Sequence, residues 1–139
     1  MSEAARIPGD SFTLFVYGTF KRAGVRHHNL AGQRFLGEAR TAPHYALFNF
    51  VHYPGLVHSE TAGRSVHGEL YRVETCLLPG LDQVEGAPTT FRLEPIQIEG
   101  VDGPVFAYFY QRSTQGRSKC DNDCWDNGKA ASGGGLPTS

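Results

Sequence analysis

Phe12-Thr13-Leu14-Phe15-Val16-Tyr17-Gly18-Thr19-Phe20 is the stretch whose reading decides the fold. Its first six residues are almost all β-branched or aromatic and carry no charge, and Gly18 stops the run. That pattern predicts a buried strand delivered into a tight turn. Downstream, residues 35–42 alternate weakly and residues 45–50 (YALFNF) strongly, giving a second and third strand. Tyr53-Pro54-Gly55 reads as a turn, followed by a short strand at Leu56-Val57. Residues 66–73 (VHGELYRV) form a further strand, in which Gly68 marks a bulge or a close backbone approach. Residues 91–98 read as a strand interrupted at Pro95, and residues 104–111 (PVFAYFYQ) as the last one. Between these lies the best helix candidate, residues 74–85. Leu77, Leu78, Leu81 and Val84 share one face there, and Pro79-Gly80 makes the helix short or kinked. Residues 21–29 are polar and basic, a loop or short helix. Six or so strands with so little helix predict an α+β fold, a small six-stranded closed or nearly closed β-barrel with one or two short helices.

The composition fits one such domain. The chain has 139 residues, 40% of them hydrophobic and 12% aromatic, which is enough for a single core. Its 17 glycines and eight prolines belong to a turn-rich β fold. Thirteen basic residues against 14 acidic ones give a net charge of −1, and a nucleic-acid surface needs a clear basic excess. No apolar run approaches the roughly 20 residues of a membrane span. The first ten residues contain no signal-like apolar segment, and the three cysteines form no disulfide framework, so the expected setting is cytoplasmic. Residues 1–11 read as a loose leader, 12–112 as the folded domain, and 113–139 as a Gly/Ser/Asn-rich tail with little core of its own.

The turn after the first strand is the first place to look for chemistry. A glycine-containing turn at a strand end leaves backbone N–H groups without ladder partners, and Gly18 can adopt the φ that such a nest needs. Thr19 adds a hydroxyl. The result suits a carboxylate or a developing oxyanion.

This turn is also the first of several motifs through which the chain resembles the γ-glutamyl cyclotransferase superfamily, closest to its γ-glutamylamine cyclotransferase-like branch. The resembling segments are Leu14-Phe15-Val16-Tyr17-Gly18-Thr19-Phe20-Lys21, His27-His28-Asn29-Leu30, Val66-His67-Gly68-Glu69-Leu70-Tyr71, Leu81-Asp82-Gln83-Val84-Glu85-Gly86, and Phe91-Arg92 before an alternating strand. Their order and spacing agree over roughly residues 14–110. The resemblance implies a six-stranded barrel and an intramolecular reaction. The free α-amine of a γ-glutamyl group attacks its own γ-carbonyl, releasing an amine and 5-oxoproline. Such a reaction asks the protein to hold the substrate curled, move a proton and stabilise charge on the carbonyl oxygen. It implies a small-molecule γ-glutamyl substrate and neither metal nor organic cofactor.

Carried onto this sequence, the resemblance makes Glu85 the base that takes the proton and the acid that returns it. An ordinary carboxylate, near ~4.3, is a poor base for an ammonium. Burial beside Val84 and Phe91 would have to raise it. The amides of Gly18, Thr19 and Phe20 would hold the glutamyl carboxylate or the oxyanion. Tyr17 would either pack beside the substrate or serve as a core aromatic. Tyr110, which shares a strand face with Tyr108, would either hydrogen-bond the substrate or pack. The sequence departs from the family pattern at Phe20, where leucine is usual, and at Phe91, where tyrosine is usual. The loss of that phenol leaves room for a second reading, a non-catalytic module of the same fold that binds a small carboxylate.

Other chemistry-bearing residues read as structural. Glu69 is the rival carboxylate, and in the family pattern it stands as a structural residue. His27 and His28 have no Asp, Glu or Cys nearby to complete a metal-ligand set, which leaves them a loop or helix-start role. Cys120 and Cys124 lack a second ligand pair, and Gly128-Lys129 lacks the rest of a phosphate loop. Cys76 reads as a small hydrophobe.

Overall fold

In the computed structural model, strand β1 (Ser11–Val16) buries apolar residues along one face and, from Phe15 onward, on the other as well. Phe12, Leu14 and Val16 enter one hydrophobic cluster, while Phe15, with Tyr17 just beyond the strand, enters a second. A run with this two-sided burial belongs in the middle of a sheet. The structure describes residues 9–120, apart from 23, 25, 51 and 62, together with Trp125.

The main sheet is mixed and five-stranded, in the order β2-β5-β1-β7-β6. Beside β1 it contains β2 (Arg34–Arg40), β5 (His67–Glu74), β6 (Phe91–Pro95) and β7 (Phe106–Tyr110). β1 is antiparallel to β5, with Val16 opposite Glu69, and parallel to β7. A two-stranded antiparallel ladder, β3 (Tyr45–Asn49) with β4 (Pro54–His58), forms separately.

Two layers cover the sheet. On one face, helix α1 (Leu78–Glu85) buries Leu78 and Leu81 against Phe12, Leu14, Tyr71, Phe91 and Tyr108. On the other, the β3–β4 ladder buries Tyr45, Leu47 and Leu56 against Phe15, Leu70 and Phe109. No helix among the described residues is long and apolar enough to cross a membrane.

The expected α+β class, mixed strands and short helix are present, and the main sheet is not closed into a barrel. β2 and β6 remain the edges of the main sheet, and the β3–β4 ladder pairs with itself instead of joining those edges. Among the described residues a single bridge, Thr41 to Ile98, links the segments that follow β2 and β6. Closure would need a continuous ladder there.

Three local expectations are also refined. The helix candidate divides into a 3₁₀ turn (Thr75–Leu77) and α1, with Pro79 in the first helical turn, where its missing N–H costs no hydrogen bond. Pro54 and Gly55 belong to β4 rather than to the turn before it. Within the stretch 113–139, Trp125 is buried in the second cluster. The Ser118 carbonyl and Cys120 N–H bond to Asn49 and Leu47 of β3, both at 2.8 Å. Residues 121–124 and 126–139 lie outside the described residues, as do 1–8 of the leader.

Gly68 in β5 is a point of close approach. A Cβ built there would lie 2.5 Å from both the Phe15 ring and the Val16 carbonyl oxygen. The ring could turn, but the backbone oxygen is held in the sheet. Gly68→Ala is therefore expected to destabilise the fold by about 1–3 kcal/mol, seen as a lower urea midpoint at unchanged slope. An unchanged midpoint would show that the two strands can separate freely at this position.

Candidate active site

Beyond Val16 the chain leaves the sheet and turns. Gly18 accepts a bond from the Lys21 N–H (3.0 Å), Thr19 from the Arg26 N–H (2.9 Å), and Phe20 is bonded through its carbonyl to the His27 ring Nδ1 (2.9 Å). The three carbonyls are thus engaged by the loop that follows. The Thr19 and Phe20 N–H groups donate to nothing among the described residues. Gly18 is required here, but not for the expected reason. Its φ is not positive; instead Pro54 of β4 packs so closely that a Cβ would meet its ring at 2.6 Å.

Glu85 reaches the same place from the other side of β1. It is the last residue of α1, and Gly86 ends the helix in the left-handed conformation (φ 67°), with its N–H and that of Ala87 closing onto Gln83 and Asp82. The Glu85 side chain is only 10% exposed, and its Oε2 accepts a bond from Arg26 Nη1 at 3.0 Å. Burial pushes its carboxyl up to about 7, although the Arg26 charge and hydrogen bond pull the other way.

Both groups line one cavity of about 360 Å³ counting its open mouth, whose walls also include Tyr17, Arg26, Tyr53, Pro54, Phe91 and Tyr108. Tyr17 is buried and donates its hydroxyl to the Tyr108 carbonyl at 2.6 Å. Burial first, and then the nearby Glu85 charge, hold its phenol well above the ordinary range, so it stays protonated. Tyr108 in turn donates to Asp82 Oδ1 at 2.6 Å, fixing β7 to the helix one turn before Glu85. Burial raises Asp82, and the Tyr108 bond partly offsets that rise.

Of the residues singled out from the sequence, Tyr17, Gly18, Thr19, Phe20 and Glu85 come together at this cavity. Tyr110 does not line it. It packs behind Phe91, with ring centroids 5.5 Å apart, and against Phe50 at 4.4 Å. Its strand neighbour Tyr108 lines the wall instead. Phe91, where the resemblance implies a tyrosine, is a buried part of that wall, its ring centroid 6.0 Å from that of Tyr53.

Glu69 is elsewhere and fully used. Arg22 donates to it from the backbone N–H (3.0 Å) and from Nε (3.2 Å), and the Tyr71 hydroxyl from 3.2 Å. The residue that sequence reasoning missed is Arg26. Nothing in its local pattern separates it from the other basic residues of the 21–29 loop; only the fold brings it to Glu85.

The chain is similar to known proteins over most of its length. The profile of the family described as gamma-glutamyl cyclotransferase, AIG2-like matches residues 14–127. The chain is 37% identical over 112 residues to a Vibrio cholerae protein whose name places it among the gamma-glutamylcyclotransferases, covering 81% of this chain and 93% of that one. It is 31% identical over 116 residues to a gamma-glutamylaminecyclotransferase of Rattus norvegicus, covering 73% and 78%. The crystal structure of an AIG2-like protein from Mus musculus superposes with a TM-score of 0.72 at 23% identity, covering 86% of this chain and 90% of that one, a likeness of fold.

The raised Glu85 carboxyl has a consequence for stability. Its value is about 7 in the folded protein against 4.5 for a free carboxyl, so the folded state holds more protons between those limits. The stabilisation this gives is complete below about 4.5 and is lost as the pH rises through 7. Wild type should therefore lose stability relative to Glu85→Gln between pH 5 and 8, measured by urea midpoints. Parallel pH profiles for the two proteins would contradict the raised value.

Proposed function

The chain belongs to the gamma-glutamyl cyclotransferase, AIG2-like family, and we propose that its cavity converts a γ-glutamyl amine into 5-oxoproline and the free amine. The observation that carries this reading is the meeting of one carboxyl near neutrality with two backbone N–H groups that have no partner among the described residues. Among the described residues no serine, cysteine or lysine lines the cavity, and the Thr19 hydroxyl has no histidine on the cavity wall to activate it. That suits a reaction whose nucleophile belongs to the substrate.

In this mechanism the substrate's α-ammonium gives up a proton to become a free amine, and its nitrogen attacks the γ-carbonyl carbon. A carbon–nitrogen bond closes the five-membered ring, and the carbonyl electron pair moves onto oxygen. In this reading the N–H groups of Thr19 and Phe20, both residues of the cavity wall, receive that oxyanion. As the intermediate collapses, the bond to the leaving nitrogen breaks. The attacking nitrogen sheds its second proton and the leaving nitrogen gains one.

Glu85 carries these protons. A carboxyl near 7 is a far better match to both transfers than an ordinary one near 4.5. Holding nucleophile and electrophile in one curled molecule supplies much of the rate.

The test is production of 5-oxoproline from a panel of γ-glutamyl amines. Glu85→Gln should keep its melting curve and lose turnover by ~10²-fold or more. Thr19→Ala, which leaves the backbone donors in place, should cost much less. In wild type, kcat/KM should rise with pH through about 7 as Glu85 ionises. Full activity of Glu85→Gln would remove Glu85 from the mechanism. Stabilisation by 5-oxoproline with no product from any γ-glutamyl amine would instead mark a binding module of this fold.

A further inference from the structure

Among the described residues that line the cavity, Arg26 carries the one full positive charge. Its backbone is held on both sides: its N–H donates to Thr19 at 2.9 Å, and its carbonyl accepts from the Asn29 N–H and side-chain Nδ2, each at 3.0 Å. Its side chain, 38% exposed, gives Glu85 a bond from Nη1 alone. Nε and Nη2 donate to nothing among the described residues. These two lie on the same edge of the planar guanidinium and form the fork that matches the two oxygens of a carboxylate. An anchored arginine with its fork unspent, at the wall of a cavity, is equipped to hold an anion.

A γ-glutamyl amine brings one permanent anion, the α-carboxylate, on the carbon that also bears the attacking amine. We propose that Arg26 binds this α-carboxylate, so that its guanidinium bridges the substrate and Glu85 and delivers the α-amine to the base. The inference rests on the cyclotransferase reading of the cavity. It also divides the two anions of the reaction between two holders. The full charge of Arg26 suits the anion that is present from the start. The uncharged Thr19 and Phe20 donors suit the one that appears only in the transition state.

The experiment replaces the α-carboxylate by a carboxamide and asks whether Arg26 notices. Binding of 5-oxoproline and of its carboxamide is measured by calorimetry, and turnover of a γ-glutamyl amine and its α-carboxamide analogue by product formation. Wild type, Arg26→Gln and Arg26→Lys are compared, with melting curves as a check on folding. Wild type should favour the carboxylate by roughly 10- to 100-fold. Arg26→Gln should bring the two within about threefold, and Arg26→Lys, which keeps the charge and loses the fork, should fall between. A folded Arg26→Gln that keeps the wild-type preference overturns the proposal, as does a wild type with no preference. Should Arg26→Gln fail to fold, an undiminished preference in Arg26→Lys overturns it equally. If wild type forms no 5-oxoproline but binds the carboxylate in an Arg26-dependent way, the reaction assignment fails and the role of Arg26 as anion holder stands.

Discussion

A carboxylate with only a tenth of its side chain exposed must be paired, protonated or compensated, because leaving it charged and alone out of water costs several kcal/mol. Glu85 is in that position, and much of the site can be read as the response. Gly86 stops the helix abruptly so that the carboxylate sits at its end. Arg26 supplies one counter-charge from a loop nearly sixty residues earlier, and the Tyr17 phenol nearby stays neutral. One guanidinium contact is not enough to restore an ordinary affinity for protons. The outcome is a group that titrates near 7, where it can take and give a proton with similar ease.

The three layers exist in a form that makes this possible. The strand that carries the Tyr17–Phe20 turn lies at the centre of the sheet, so its end emerges between the helix layer and the β3–β4 layer. Pro54 closes against Gly18 from one layer and Glu85 arrives from the other. Tyr108, bonded to Tyr17 through its carbonyl and to Asp82 through its hydroxyl, spans the gap. A closed barrel is not needed for any of this; the site requires only that the β1 end be flanked on both faces.

The legible part of this arrangement was local in sequence. β1, the helix and Glu85 at its end follow from apolar patterning over a few residues, and most strand positions agree to within a residue or two for the same reason, although the strand expected over 91–98 ends at Pro95. What depends on contacts distant in sequence did not follow. The local pattern at Gly18 points to a dihedral requirement, whereas the constraint is the packing of Pro54, 36 positions away in the chain. Tyr108 and Tyr110 share a strand face, and only the position of α1 and Phe91 decides which of them meets the cavity. Trp125 lies in a stretch of polar composition, and the second cluster that buries it draws its other buried members from residues 15–109. Arg26 is the clearest case: a basic loop residue gains its meaning from a carboxylate on another element.

The central claim is that the substrate supplies its own nucleophile and Glu85 only moves protons. Turnover of a γ-glutamyl amine in ¹⁸O-labelled water, followed by mass spectrometry of the products, tests this most directly. An intramolecular attack yields 5-oxoproline that carries no label, together with one equivalent of free amine. Labelled glutamate as the primary product would mean that water, not the α-amine, attacks the γ-carbonyl, and would contradict the mechanism.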